Sequence, residues 1–273
     1  MTTVSTKSNY LAPLAQAALD AERLRISHQI RLSHLAKPYL PEPKMGHDGK
    51  PAPFPIEEVL KVLEDNGEAV ALIAVFRRLQ DTEKFIDGHL AREMENHPAY
   101  PWTSQVKGVG RENVAKIIGL VDIERAQTAS ALWKYAGYAP DPETGRAMKI
   151  KKGEKSPYNV RLRTLCWRLG VSLLRAQGKY YTFYASEKQT LEAKILARGD
   201  KITPSAKGVT EPEGVVYAAH LDMMARRKMI KMFLAHLWQV WREALNMPTR
   251  SPYAMEIMGH TSEPISPWEM TEE

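Results

Sequence analysis

The residues in this chain with the clearest chemistry are Gly108-Val109-Gly110 and the run after them, Arg111-Glu112-Asn113-Val114-Ala115-Lys116-Ile117-Ile118. Glycine allows a sharp turn and lets backbone approach an anion with no Cβ in the way. A helix that opens directly after such a turn aims its free N–H groups and the positive end of its dipole at the same point. The implied chemistry is phosphate binding. Gly108, Val109 and Gly110 would supply backbone amides, and Arg111 and Lys116 would supply charge. Contacts of this kind hold a nucleic-acid backbone without reading its bases. A plain turn also needs two glycines, so the surrounding residues decide the weight of the motif.

Charge distribution adds to it. The chain of 273 residues has a net charge of +6, and the pI is near 9.2. Ten basic residues and one acid fall between Arg146 and Lys179, so this window carries +9 and the remainder is mildly acidic. A basic section on an acidic body is an electrostatic footprint for phosphates. Within it, Lys149, Lys151, Lys152 and Lys155 form a loop that can track a phosphate backbone near the hairpin, and Arg161 and Arg163 begin the next helix. Arg227 and Lys231 on the last helix extend the same surface. Tyr158, Tyr180, Tyr181 and Tyr184 lie among these cations and read as packed side chains, with base stacking as the alternative.

Other chemistries find less support. The lone Cys166 excludes an intramolecular disulfide and a cysteine-cluster metal site, and its Leu-Cys-Trp setting reads as buried. His220, Asp222 and His236 fit no standard zinc spacing. No metal or cofactor is implied, and no local motif organises a nucleophile with a base. Asp20, Glu22, Asp81, Glu83 and Asp87 sit in helical, solvent-facing patterns and read as surface charges. No apolar run is long enough to span a bilayer and no leader precedes residue 10, so a soluble, cytoplasmic protein with no membrane partner is expected.

The elements that must position these residues are helices. Apolar spacing predicts a helix over 10–37, stopped by Pro38, then a Pro- and Gly-rich linker over 38–55. A helix starts near Pro55-Ile56 and breaks at Asn66-Gly67. A longer one covers about 68–96 and pairs with 10–37 as an antiparallel hairpin or joins a dimer. Short helices and turns fill 99–140, and 141–157 is a loop or β-hairpin. Helices follow over 159–177, 179–198 and 215–246, with a polar loop at 199–214 and an irregular tail. The expected organisation is an all-α fold: an N-terminal helical region over 1–97, a compact helix-hairpin-helix domain over 98–250, and a tail over 251–273.

The order of motifs carries a family resemblance. The Gly108–Gly110 turn is followed by Val121-Asp122-Ile123 and then Tyr135-Ala136-Gly137-Tyr138-Ala139-Pro140. The lysine-rich loop comes next, then Asn159-Val160-Arg161-Leu162-Arg163. Over about 105–180 this resembles the C-terminal, helix-hairpin-helix domain of the bridge-RNA-guided insertion-sequence transposases, and His220–Lys231 is similar to the final helix of transposase-like proteins related to that group. The resemblance implies a DNA-binding fold of mobile-element origin. The family's catalytic serine follows the Tyr-Ala-Gly segment, where this chain reads Asp141-Pro142-Glu143-Thr144-Gly145. The family's N-terminal carboxylate nuclease domain has no counterpart in 1–97. The expected function is nucleic-acid binding, DNA first and structured RNA second, without autonomous catalysis. A homodimer or a larger nucleoprotein complex would assemble through the N-terminal helices. Two alternatives remain: an active transposase or recombinase whose chemistry comes from a partner chain or Thr144, and a purely structural assembly protein.

Overall fold

The computed structural model describes residues 10–46, 50–141, 144–205, 209–249 and 265–272. The chain divides into two compact units, one up to Arg92 and one from Glu93 onward. The architecture is mostly helical, as the periodicity predicts.

In the first unit, α1 spans Leu11–Ala36 and ends in a 3-10 turn, Lys37–Tyr39, where Pro38 halts it. Helix α2 (Ile56–Asp65) opens after Pro55 with Glu57 and Glu58 in its first turn, where the helix dipole favours acids. Gly67 and Ala69, both at positive φ, turn the chain into α3 (Val70–Glu95). Leu32 and Ala36 of α1, Val59 and Leu63 of α2, and Ile73 and Phe76 of α3 form one buried cluster. Arg25 pairs with Glu83. Partners that recede along α1 therefore advance along α3, and the two long helices run antiparallel with α2 packed at one end.

The second unit holds α4 (Tyr100–Thr103), α5 (Arg111–Gly119), α6 (Ala129–Tyr135), α7 (Val160–Ala176), α8 (Lys179–Ala197) and α9 (Ala218–Ala244). Helix α9 is its axis and packs against α6, α7 and α8. The core is aromatic. Phe233 lies 5.4 Å from Trp102 and 5.6 Å from Tyr180, and His97 stands edge-on to Trp241 at 4.8 Å. Such pairs add about 0.5–1.5 kcal/mol each beyond their buried area. Cys166 is fully buried, and burial pushes its thiol up to about 12.

Two features depart from the sequence reading. Lys201–Thr203 (β1) and Val215–Tyr217 (β2) pair in parallel, so the loop expected at 199–214 is bracketed by a small sheet and α9 begins only at Ala218. Residues 265–272, expected to be irregular, form an ordered clasp. Ser266 and Glu269 make a reciprocal cap on the 3-10 turn Pro267–Met270. The Trp102 indole N–H donates to the Pro267 carbonyl at 2.8 Å, and the Glu272 N–H donates to the Gln105 carbonyl at 3.0 Å. The Glu272 carboxylate accepts the Lys179 N–H at the start of α8 at 3.1 Å. The rest of the expected tail, 251–264 and 273, lies outside the described residues.

Candidate nucleic-acid interface

Two cationic features lie on the second unit. The first is the glycine turn between α4 and α5. Gly108 has φ +91°, and a Cβ there would lie 2.7 Å from the Ala176 Cβ, 3.1 Å from the Ser172 carbonyl oxygen and 3.2 Å from the Leu173 Cα. The Ser172 hydroxyl donates to the Gly108 carbonyl at 2.8 Å. The missing Cβ that the sequence reading gave to a phosphate is thus needed by α7, which the turn abuts. Gly110 differs. It has ordinary extended backbone, is exposed, and is the N-cap of α5 with no side-chain cap hydrogen bond. Val109 beside it is half-buried. Arg111 is exposed at the helix start and pairs with Glu95.

Lys116 requires a correction. It is only 5 % exposed, within the run Val114–Ile118 that α5 buries on every side. A nine-residue helix enclosed this fully keeps no polar face beyond its first turn, so Lys116 cannot present charge to a phosphate.

The second feature is a cleft of about 1290 Å³ between the N-terminal halves of α7 and α9. Val160, Arg163, Thr164 and Trp167 line it from α7, and His220, Met223, Met224 and Arg227 line it from α9. Both sets follow the spacing of one helical face. Gly170 explains why the helices diverge from one point. A Cβ there would meet the Ile230 side chain at 2.7 Å, so glycine allows the close approach that forms the vertex. From that vertex each helix runs back ten residues, about 15 Å at 1.5 Å per residue.

The cleft is lined by cations held on aromatic rings. The Arg163 guanidinium lies 4.6 Å from the centre of the Tyr158 ring, and its Nη1 faces the Met148 carbonyl at 3.4 Å. Gly137, at φ +76°, lies so close to that ring that a Cβ would sit 2.8 Å from it, which accounts for glycine in Tyr-Ala-Gly-Tyr. Arg227 donates to the Tyr138 and Ala139 carbonyls at 3.0 and 3.2 Å and lies over the Tyr138 ring. Outside the cleft lining, on the next turn of α9, Lys231 sits 4.1 Å over Trp133. Burial first, and then Arg163, pulls Arg227 below the usual arginine range; burial, Arg227 and Lys228 do the same to Lys231. Among the described residues no carboxylate pairs with Arg163 or Arg227. Glu211, an acid on the cleft wall, is 2.8 Å from His220 and also accepts the Tyr217 N–H. The folded protein therefore holds close, half-desolvated positive charges that an anion would relieve.

Lys149 lines the cleft, while Lys151, Lys152 and Lys155 extend as an exposed loop, and Arg161 is exposed on the first turn of α7. The hairpin meets α7 at Ser172–Ala176 and the cleft meets it at Val160–Trp167, so their midpoints are separated by about 15 Å of helix. The root of the lysine loop belongs with the cleft, not beside the hairpin as expected. Tyr180 and Tyr184 are packed: Tyr180 bonds His236 at 2.7 Å and Tyr184 bonds Asp222. Tyr158 lines the cleft. Trp167, Arg198, Met223 and Met224, which the sequence did not single out, stand on the cleft wall with Arg146 of the basic window and Tyr138 of the Tyr-Ala-Gly-Tyr segment. The shared helical spacing of Arg163 with Trp167 and of Met223 with Arg227 is the signal that could have found several of them.

Thr144 is exposed, and its hydroxyl accepts the Arg146 N–H at 3.3 Å within a turn. Among the described residues no group of three or more His, Cys, Asp or Glu side chains could hold a metal ion, and no helix is long and apolar enough to cross a membrane. No protein-family model, curated protein or solved structure matches the chain.

Proposed function

We propose that this protein binds nucleic acid, DNA first, through the phosphate backbone, as a non-catalytic relative of the transposases it resembles in sequence. The observation that carries this reading is the set of half-buried arginines on aromatic rings, continuous with an exposed lysine loop and with no carboxylate partner among the described residues. Protein-internal pairing would have neutralised such charges if they served stability alone. The hairpin contributes the open start of α5 at Gly110 and Arg111. Since these contacts are to phosphate, binding tolerates many sequences and depends steeply on salt. If Lys151, Lys152, Lys155 and Arg161 each neutralise a phosphate on a duplex, log K falls against log salt with a slope of about −4. Anisotropy titrations of a labelled duplex across a salt series measure it. Replacing Lys151, Lys152 and Lys155 with Ala should flatten the slope by about 3. Salt-independent affinity, or no binding at low salt, refutes the reading.

A further inference from the structure

Resting on that nucleic-acid reading, we propose that the cleft between α7 and α9 receives an unpaired strand and excludes duplex. Its bases lie among Tyr158, Trp167 and Met223, and its phosphates on Arg163 and Arg227.

The first argument is size. A cleft about 15 Å deep with a volume of about 1290 Å³ has a mean width on the order of 10 Å. The two grooves of a B-form duplex alone measure about 12 and 6 Å across, before either backbone is counted. A duplex cannot enter, whereas a strand with its bases turned inward can. The volume also exceeds the ~300–1,000 Å³ typical of pockets that enclose one small molecule, so more than one nucleotide has room.

The second argument is the wall. A surface for duplex backbone needs only charge, as the exposed lysine loop supplies. This cleft instead alternates charge with Tyr158, Trp167, Met223 and Met224, a costly lining to leave in water. Aromatic rings and guanidinium planes are what unpaired bases stack on, and that stacking tolerates any base. The third argument is rigidity. Arg163 is set by Tyr158 and the Met148 carbonyl, and Arg227 by two carbonyls, so both cations are fixed before a ligand arrives. Little ordering is then left for binding to offset.

The test uses the full chain with three probes: a short homothymidine strand, a homouridine strand of equal length, and a blunt duplex. Both strands should compete with each other, because stacking and phosphate contacts do not require a particular sugar, while the blunt duplex should displace neither at matched phosphate concentration. Trp167→Ala should weaken strand binding about tenfold, the scale of losing one stacked base. Arg146→Glu, on an exposed residue of the cleft wall, should also weaken strand binding more than duplex binding, and it covers the case in which Trp167→Ala fails to fold. An iodouracil-substituted strand should photo-crosslink to Tyr158 or Trp167. Equal competition by duplex, equal losses for strand and duplex in Arg146→Glu, or crosslinks confined to aromatic residues outside the cleft overturn the proposal while leaving the nucleic-acid reading intact. Failure of all three probes to bind removes both.

Discussion

Gly108→Ala is the sharpest test of what the glycine turn is for. A Cβ at φ +91° enters a region that costs L-residues about 1–2 kcal/mol. The same Cβ would stand 2.7 Å from the Ala176 Cβ and near two backbone atoms of α7, none at the end of a flexible side chain. Relief therefore needs movement of the helix or the turn, and overpacking of this kind costs about 1–3 kcal/mol. The expected loss is about 2–5 kcal/mol, a large fraction of the ~5–15 kcal/mol that holds a domain together. In a unit of this size it corresponds to a drop in Tm of roughly 5–15 °C. Gly110→Ala is the matched control. Its φ is −75° and its nearest neighbour to a new Cβ is the Asn113 Nδ2 at 3.8 Å, so it should melt within a few degrees of the parent. Thermal and urea melts of both variants, read by circular dichroism, decide the matter. If Gly108→Ala melts with the parent, the turn is not wedged against α7 and the reasoning fails.

Three further outcomes are expected. His97 and His236 are both lowered to about 4 by burial, so the unfolded chain takes up protons at a higher pH than the folded one. Their contribution is whole above about pH 6.5 and is lost as pH falls toward 4, at about 3 kcal/mol each. Tm should fall steeply between pH 7 and 4.5, and His236→Phe should flatten that fall; a pH-independent Tm over this range contradicts the assignment. Gly170→Ala should cost about 1–3 kcal/mol through its clash with Ile230. Ile230→Ala removes both clashing atoms, Cδ1 and Cγ1, so the double variant should be less destabilised than the sum of the two, and strict additivity in urea melts would disprove the contact. Leu24, Ile30 and Phe85 are exposed on the long helices of the first unit, and we expect them to support self-association. Leu24→Glu with Phe85→Glu should shift the sedimentation coefficient toward monomer, and a parent that is already monomeric at micromolar concentration rules this out.

The long helices were legible in the sequence because apolar spacing and punctuating residues agree. Pro38, Pro55, Asn66-Gly67 and Gly178 each lie at a helix boundary, where backbone chemistry forces one. The β1–β2 pair was not legible, since three residues per strand carry no periodicity and their pairing is set by α8 and α9 on either side. The clasp did leave a sign: Ser266-Pro267-Trp268-Glu269 is a capping sequence with proline at the first helical position. Lys116 was misplaced because helical spacing assigns a face only when one side meets solvent, and α5 has no such side. The cleft is built by tertiary packing. Its basic residues were visible one by one, but Arg163 and Arg227 are separated in the chain by the rest of α7, all of α8, the small sheet and the start of α9, and they face one cleft because α7 and α9 pack closely at Gly170.

The clasp ties folding to the order of synthesis. Trp102, at the centre of the aromatic core, finds its indole partner at Pro267, 165 residues later. His236 likewise meets the Ile265 carbonyl, and Gln105 beside the glycine turn meets Glu272. On a ribosome these partners emerge after the helices they join, so the second unit spends most of its translation with the Trp102 N–H and the start of α8 unsatisfied. Contacts of such long sequence separation are slow to form and leave apolar surface exposed meanwhile. The first unit forms its buried cluster of α1, α2 and α3 within residues 32–76 and meets no such delay there. The nascent chain should therefore carry a finished helical hairpin ahead of a second unit whose aromatic core is completed only once residue 272 is free.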